Sequence, residues 1–200
     1  MPLPYTTVAR VSPRSQRTAL TVGAVIAALA VVLDQATKAW ALGTLVPGQY
    51  HPLLGPYFGL RLVYNPGAAF SFGANSTWVF TLVAIAFAIG AVYALTKVTS
   101  RPWVVTIALL LGGSVGNLID RLFRTPGKGQ GHVVDFLSYW DWFVGNVADI
   151  FIVLAAVGLA VLSFTGVPTD PTAAHIGPDD QEAAAAEDAL PQTDPAAEKQ

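Results

Sequence analysis

Two aspartates lie at the ends of strongly apolar segments, where charge is otherwise scarce. Asp120 closes the apolar run 103–120, and Asp149 lies near the start of the run 146–164. An ionisable residue in or at the edge of a membrane span is costly and therefore indicates function. Two carboxylates held at one depth can share a proton and act as general acid and general base. The spacing therefore predicts an Asp120–Asp149 pair.

Each of these aspartates has an asparagine one turn away on the same helical face. Gly113, Asn117 and Asp120 are spaced i, i+4 and i+7, and Asn146 lies three residues before Asp149. The two asparagines are thus placed to orient the carboxylates or to hold a substrate backbone.

Structural roles for the same residues remain open. Asp120 could pair with the adjacent Arg121, which could instead tune the charge of the pair. Asn146 could be a helix N-cap, and Asp149 could favour the positive end of its helix. Glycines such as Gly113 suit close helix packing.

A second acid–base pair, Asp34 and Lys38, has the i, i+4 spacing and the order that favours an ion pair on a helix. We expect a structural ion pair here rather than a catalytic one.

Ser71 as a nucleophile would need a base, and neither His51 nor His132 lies in a recognisable motif. No histidine pair has metal-ligand spacing, and no cysteine is present, so we expect no metal and no cofactor.

The composition indicates an integral membrane protein. Hydrophobic residues make up 53% of the 200 residues and charged residues 12%, against about 25% charged residues in an ordinary soluble domain. We expect an all-α bundle of four transmembrane helices, and no nucleic-acid partner. Apolar runs near the length of a bilayer predict spans at 19–33 (extending up to residue 40), 78–95, 103–118 and 147–164.

The charges divide the chain into three parts and set its orientation. Residues 1–17 contain three arginines and are predicted to be a cytoplasmic segment, followed by a membrane domain over 18–164. Residues 165–200 hold eight of the thirteen acids and no aromatic residue, which predicts a disordered acidic cytoplasmic tail. With four spans, Asp120 and Asp149 then meet at the outer edge of the membrane.

Two longer connections would lie on that outer side. In residues 58–65, apolar and polar side chains alternate, which predicts a small extracytoplasmic β-ribbon. Residues 133–143 are apolar and aromatic enough to dip into the interface. Together these loops could form a cradle over a substrate.

Five short motifs occur along the chain in the following order: 34-DQATK-38, 65-NPGAAFS-71, 112-GGSVGNLIDR-121, 133-VVDF-136 and 146-NVAD-149. Together they resemble the lipoprotein signal peptidase family, the bacterial type II signal peptidases, over roughly residues 20–164. A single motif would be weak evidence, whereas all five in order around four spans are specific. The chain has Gly145 where members of that family usually have phenylalanine.

The resemblance implies an aspartic endopeptidase of the bacterial inner membrane. Its substrates would be diacylglyceryl-modified prolipoproteins, which it would cut just before the lipidated cysteine. Membrane lipid would surround the enzyme. Asp120 and Asp149 would be the catalytic pair. Supporting or substrate-binding roles would fall to seven further residues: Asp34, Lys38, Asn65, Gly113, Asn117, Arg121 and Asn146.

A small transporter that relays protons or cations through its aspartates is the main alternative. It predicts acids spread across the depth of the membrane. Here the second span carries no charge, and Asp34, Asp120 and Asp149 all fall at one edge.

Overall fold

A computed structural model describes residues 13–67, 77–140 and 142–170. Four helices in it are long and apolar enough to cross a membrane: α1 (Pro13–Thr44), α2 (Thr77–Leu95), α3 (Arg101–Phe123) and α4 (Val147–Phe164). The four predicted spans are therefore confirmed as helices. Two of them extend further than predicted, because polar residues continue the helix beyond the apolar run. α1 begins inside the predicted segment 1–17, and α3 continues for one turn past Asp120.

Four strands form one antiparallel sheet in the order β1-β2-β3-β4: β1 (Tyr50–Leu54), β2 (Phe58–Asn65), β3 (Val133–Tyr139) and β4 (Phe143–Gly145). The predicted ribbon at 58–65 is β2. The stretch 133–143, which was expected to dip into the interface, supplies β3 and the start of β4. Leu62, Val134 and Phe136 of this sheet pack against Ala41, in the last turn of α1, and Leu45, which directly follows that helix. The sheet therefore covers the end of the bundle where α3 ends and α4 begins.

Glycines let α3 pack closely against its neighbours, as the small-residue spacing predicted. A Cβ at Gly112 would lie 2.5 Å from the Cβ of Ala30 in α1. One at Gly113 would lie 2.6 Å from the carbonyl oxygen of Ala148 in α4. Gly113 therefore acts in packing: it brings the first turn of α4 against α3, which sets the depth of the residues at the start of α4.

The first residues after α4 are attached to the opposite end of the bundle. The Thr169 carbonyl accepts hydrogen bonds from the backbone N–H groups of Thr99 and Ser100, and the Trp103 indole donates to the Val167 carbonyl. Asp170 accepts from the Thr99 hydroxyl. Residues 165–170 thus belong with the folded body. The predicted character of the tail beyond residue 170 lies outside the described residues.

These contacts set where the tail can be removed. A chain ending after Asp170 should keep its activity per folded molecule within a few-fold of the full chain, because it retains every contact described at the two ends of the bundle. Turnover normalised to folded protein checks this. A chain ending at Gly166 provides the comparison and should lose thermal stability, since it lacks the bonds to Thr99, Ser100 and Trp103.

Candidate active site

A buried ion cluster joins α1 to α3 just beneath the sheet. The Lys38 ammonium contacts the Asp34 carboxylate at 2.8 Å and the Asp120 carboxylate at 2.9 Å, and it donates to the Asn117 side-chain oxygen at 3.0 Å. Lys38, Asp34 and Asp120 have no exposed surface. An ammonium has three N–H donors, so Lys38 has a partner for each of them. The predicted Asp34–Lys38 ion pair is confirmed and extends to α3.

Asp120 is occupied on both oxygens. Its Oδ2 accepts from Lys38 and from the backbone N–H of Val134 at 3.1 Å, and its Oδ1 accepts from Arg124 Nε at 2.7 Å and from Gln35 at 3.2 Å. A carboxylate with four donors, three of them side chains and two of those charged, is held firmly in place. Such a group suits fixing β3 to α3 better than exchanging protons.

Asp34 performs a similar task for α4. Its Oδ1 accepts from the backbone N–H of Ala148 at 3.0 Å, in the first turn of that helix, where N–H groups lack partners within the helix. Gln35 supports the cluster by donating to Asp34 and to the Gly116 carbonyl. The cluster thereby fixes the start of α4 as well as β3.

Asn117 connects this cluster to Asp149. Its side-chain oxygen accepts from Lys38 and from the Asn146 amide, and its own amide donates to Asp149 Oδ1 at 2.9 Å. The charge on Lys38 orients the Asn117 oxygen, which leaves the amide nitrogen facing Asp149. A direct hydrogen bond between Asn117 and Asn146 thus links α3 to the start of α4.

Asp149 lies in a capping box at the start of α4. Its Oδ2 accepts from the Asn146 backbone N–H at 3.0 Å, while its own backbone N–H donates to the Asn146 side chain. Both structural roles considered for Asn146 and Asp149 are therefore present. Asp149 remains partly exposed, in contrast to Asp120. Its carboxylate is thus fixed in place while it stays accessible to water.

A third carboxylate, Asp135 in β3, lies beside Asp149. Asp135 Oδ1 accepts from the Asn146 amide at 2.7 Å, and Oδ2 accepts from the Asn65 amide at 2.8 Å. Asn65 is itself held in a turn, because its side-chain oxygen accepts from the Gly67 backbone N–H. Asn146 thus donates its side chain to Asp135 and its backbone N–H to Asp149, which places the two carboxylates side by side.

The environment of Asp135 favours its protonated form. Burial and, second to it, the negative charge of Asp149 together raise the pKa of this carboxyl from 3.8 to about 7, against the opposing hydrogen bonds from Asn65 and Asn146. Two neighbouring carboxyls in different environments can divide the roles of acid and base.

The described contacts of Asp120 join it to α1, Arg124 and β3, whereas the described carboxyl whose pKa the charge of Asp149 raises is Asp135. Asp135, in 133-VVDF-136, is therefore a second candidate partner for Asp149 beside the expected Asp120. Helical spacing did not bring out this acid, because it lies at an inward position of a buried strand.

Arg121 faces the same group of acids. Its guanidinium is largely buried, lies 5.5 Å from the ring centre of Phe80, and interacts electrostatically with Asp135, Asp120 and Asp149 in that order of strength. Within the described residues, its Nη1 has no hydrogen-bond partner. The simple pair with Asp120 that the sequence suggested is thus replaced by a shared interaction with all three acids.

The other candidate groups do not join this site. Ser71 lies outside the described residues, so the serine alternative has no test there. His132 lines a separate polar cavity with Arg124, and His51 lies on β1. Over 13–67, 77–140 and 142–170, no group of three metal-ligating side chains comes together.

A family model described as signal peptidase (SPase) II matches residues 26–165, which is more than half of the chain. The chain belongs to the signal peptidase II family. Among curated relatives, one named lipoprotein signal peptidase from Rhodococcus jostii (strain RHA1) is 47% identical over 74% of this chain and 75% of its own. Another of that name, from Mycobacterium avium (strain 104), is 44% identical over 79% of this chain and 85% of its own.

Solved structures agree with this family membership. One described as a bacterial membrane enzyme, obtained by the in meso method at 2.3 Å resolution, has a TM-score of 0.63 and 25% identity. It covers 72% of this chain and 88% of its own. The chain is thus a multi-pass bacterial membrane protein of a peptidase family, and the transporter alternative is not supported.

Gly145, where the resemblance led us to expect phenylalanine, lies between an aromatic ring and Asp149. A Cβ at Gly145 would lie 2.5 Å from the Phe143 ring and 2.9 Å from Asp149 Oδ2. The Phe143 ring therefore occupies the space beside Gly145. A side chain at residue 145 would have to displace that ring.

Proposed function

We propose that this protein is an aspartic endopeptidase that removes signal peptides from diacylglyceryl-modified prolipoproteins, cutting just before the lipidated cysteine. Family membership supports the reaction, and the observation that carries the site assignment is the pair Asp135 and Asp149. One residue, Asn146, donates to both carboxylates, at 2.7 Å and 3.0 Å. Asp135 then takes the catalytic role that the sequence had assigned to Asp120.

In the proposed reaction, Asp149 is the general base. It takes a proton from a water molecule whose oxygen attacks the scissile carbonyl carbon, while protonated Asp135 donates a hydrogen bond to the carbonyl oxygen. When the C–N bond breaks, the proton taken up by Asp149 passes to the leaving amine. The products are the carboxyl end of the signal peptide and the free amino group of the lipidated cysteine.

The surrounding residues hold this arrangement in place. Asn117 and Asn146 orient Asp149, and Asn65 and Asn146 orient Asp135. Arg121 Nη1 offers a hydrogen-bond donor beside these acids. Such a donor suits the carbonyl oxygen of the substrate and the negative charge that develops on it during the reaction. The ion cluster acts indirectly: it fixes the start of α4 and of β3 through Asp34, Lys38 and Asp120.

The location follows from the same arrangement. We place both termini in the cytoplasm and the carboxylate pair at the outer face, since Arg10, Arg14 and Arg17 precede or open α1. The sheet covers the carboxylate end of the bundle and would cradle the peptide, while the acyl chains of the substrate stay in lipid. Burial of the acyl chains in lipid fixes the depth of the bond to be cut, because each buried methylene contributes about 0.8 kcal/mol to the free energy of membrane binding.

This proposal predicts an alkaline loss of activity. Because the pKa of Asp135 is raised to about 7, the group keeps its proton below that pH and loses it above. We expect kcat/KM to decline tenfold per pH unit above an apparent pKa near 7, the two carboxyls titrating as a unit. Initial rates between pH 5 and 9 on a lipidated precursor check this. A rate that rises steadily to pH 9 would exclude protonated Asp135 as the acid.

The function itself is tested with matched substrates. Purified protein is given one prolipoprotein with and without the diacylglyceryl group, at equal density in vesicles, and cleavage is read by gel shift and mass spectrometry. We expect cleavage before the cysteine of the lipidated form and at least a hundredfold slower cleavage of the other. Equal rates would refute depth-fixing by the acyl chains, and cleavage elsewhere would refute the assigned bond.

A further inference from the structure

An apolar groove runs along the membrane-facing surface at the end of the bundle away from the carboxylates. Its volume is about 600 Å³, within the range of small-molecule sites. Val83, Phe87 and Gly90 of α2 form one wall, and Ile107 and Leu110 of α3 form the other. Leu159 of α4 completes the lining.

One end of the groove is polar and basic. Lys97 lies at this end with its ammonium 5.2 Å from the ring centre of Tyr93, and it is the one charged residue among the described residues that line the groove. Arg101 follows at the start of α3 and is exposed, as is Arg17 in α1. The one described acid at this end, Asp170, is hydrogen-bonded to Thr99. Among the described residues, the mouth of the groove therefore carries net positive charge.

We propose that this groove binds an anionic phospholipid, with one acyl chain along the apolar walls and the phosphate group at Lys97. An apolar groove open to a bilayer is a natural place for an acyl chain, and a basic residue between helix ends is a recurrent site for acidic headgroups. Tyr93 and Trp103 at the same end are of the residue types that favour the headgroup region.

The other apolar candidate for this groove is the helix of a signal peptide. The positive charge at the mouth favours a phospholipid over that helix. Signal peptides carry a basic segment before their apolar stretch, and that segment would meet Lys97 and Arg101 as like charges. A phosphate group meets them as an opposite charge. The lipid is therefore the occupant that the groove favours.

Gly90 provides a steric test with a matched control. A Cβ at Gly90 meets nothing within 4 Å, and Gly90 lines the groove, so we expect the side chain of Gly90→Leu to take up space in the groove. Gly43, in the last turn of α1 and far from the groove, is equally open. Gly43→Leu is thus the control for replacing an exposed helical glycine.

The experiment counts bound lipid by native mass spectrometry, with purified protein titrated in detergent by phosphatidylglycerol or phosphatidylcholine. We expect wild type and Gly43→Leu to retain phosphatidylglycerol preferentially, and Gly90→Leu to retain at least fivefold less. Lys97→Glu should lower the preference for the anionic lipid about fivefold, and Lys97→Arg should restore it. Equal retention by Gly90→Leu and Gly43→Leu would overturn the site, and an unchanged preference in Lys97→Glu would overturn the headgroup assignment.

Cleavage kinetics distinguish the rival occupant. In detergent without phospholipid, Gly90→Leu should cleave the lipidated precursor with a KM within twofold of wild type. A KM raised tenfold, with lipid retention unchanged, would show that the groove holds the signal helix instead. Either result leaves the carboxylate pair untouched, so this test is independent of the proposed reaction.

Discussion

Asp135→Asn and Asp149→Asn are each expected to reduce cleavage at least about a thousandfold, within the range that acid–base groups contribute. Each change removes one of the two protonation states that the reaction needs. Asparagine keeps one oxygen acceptor at each position, so the lost hydrogen bond should cost about 1 kcal/mol, a change in Tm of about 4 °C or less. Turnover per folded molecule, with Tm measured on the same sample, checks both parts.

Asp120→Asn is the informative comparison. It removes a charge that Lys38 and Arg124 both contact, so its main effect should be on thermal stability, with residual turnover in the molecules that remain folded. The opposite pattern, in which folded Asp120→Asn is inactive while Asp135→Asn cleaves, would restore the pairing first predicted from sequence.

The largest effect on stability is expected from Lys38→Met. The change leaves two fully buried carboxylates, Asp34 and Asp120, without their shared cation. Removing one partner of a buried ion pair costs about 3–5 kcal/mol, which corresponds to a fall in Tm of about 10 °C for a chain of this size. Thermal unfolding in detergent, followed by circular dichroism, measures it.

Two further variants control for this interpretation. Lys128→Met removes an exposed lysine and should leave Tm unchanged. Adding Asp34→Asn and Asp120→Asn to Lys38→Met should recover part of the lost stability, because no unpaired carboxylate then remains at those positions. A Lys38→Met protein as stable as wild type would mean that water or rearranged side chains compensate for the lost cation.

Much of the fold could be predicted because the membrane imposes it. Apolar runs of bilayer length located all four helices, and alternation located β2. The bounds shifted at Pro13 and Phe123, where polar residues continue the helix beyond the apolar run. Periodicity describes one segment at a time, so it could not show that 133–139 pairs with β2.

The same limit explains the candidate site. Helical spacing correctly grouped Asn146 with Asp149, whereas Asn117 bonds to Asp149 on the other helix. Spacing could not weigh Asp135, because the environment of that acid depends on Asn65 and Asn146, which are distant in sequence. Nor could it show that Lys38 would reach from α1 to Asp120, a contact that leads us to propose Asp135 as the partner of Asp149.

The way Asp34 and Asp120 hold later parts of the chain bears on how the enzyme matures. Chains are made from the N-terminus, so α1 and α3, with Lys38 between them, can assemble while β3 and α4 are still to come. Asp120 then receives the Val134 N–H, and Asp34 receives the Ala148 N–H. Asp135 and Asp149 are thus positioned last, when β3 and α4 pack against the ion cluster that Lys38 forms with Asp34 and Asp120. With Asp135 and Asp149 as the proposed pair, a nascent chain would acquire cleavage activity only when its fourth helix is in place.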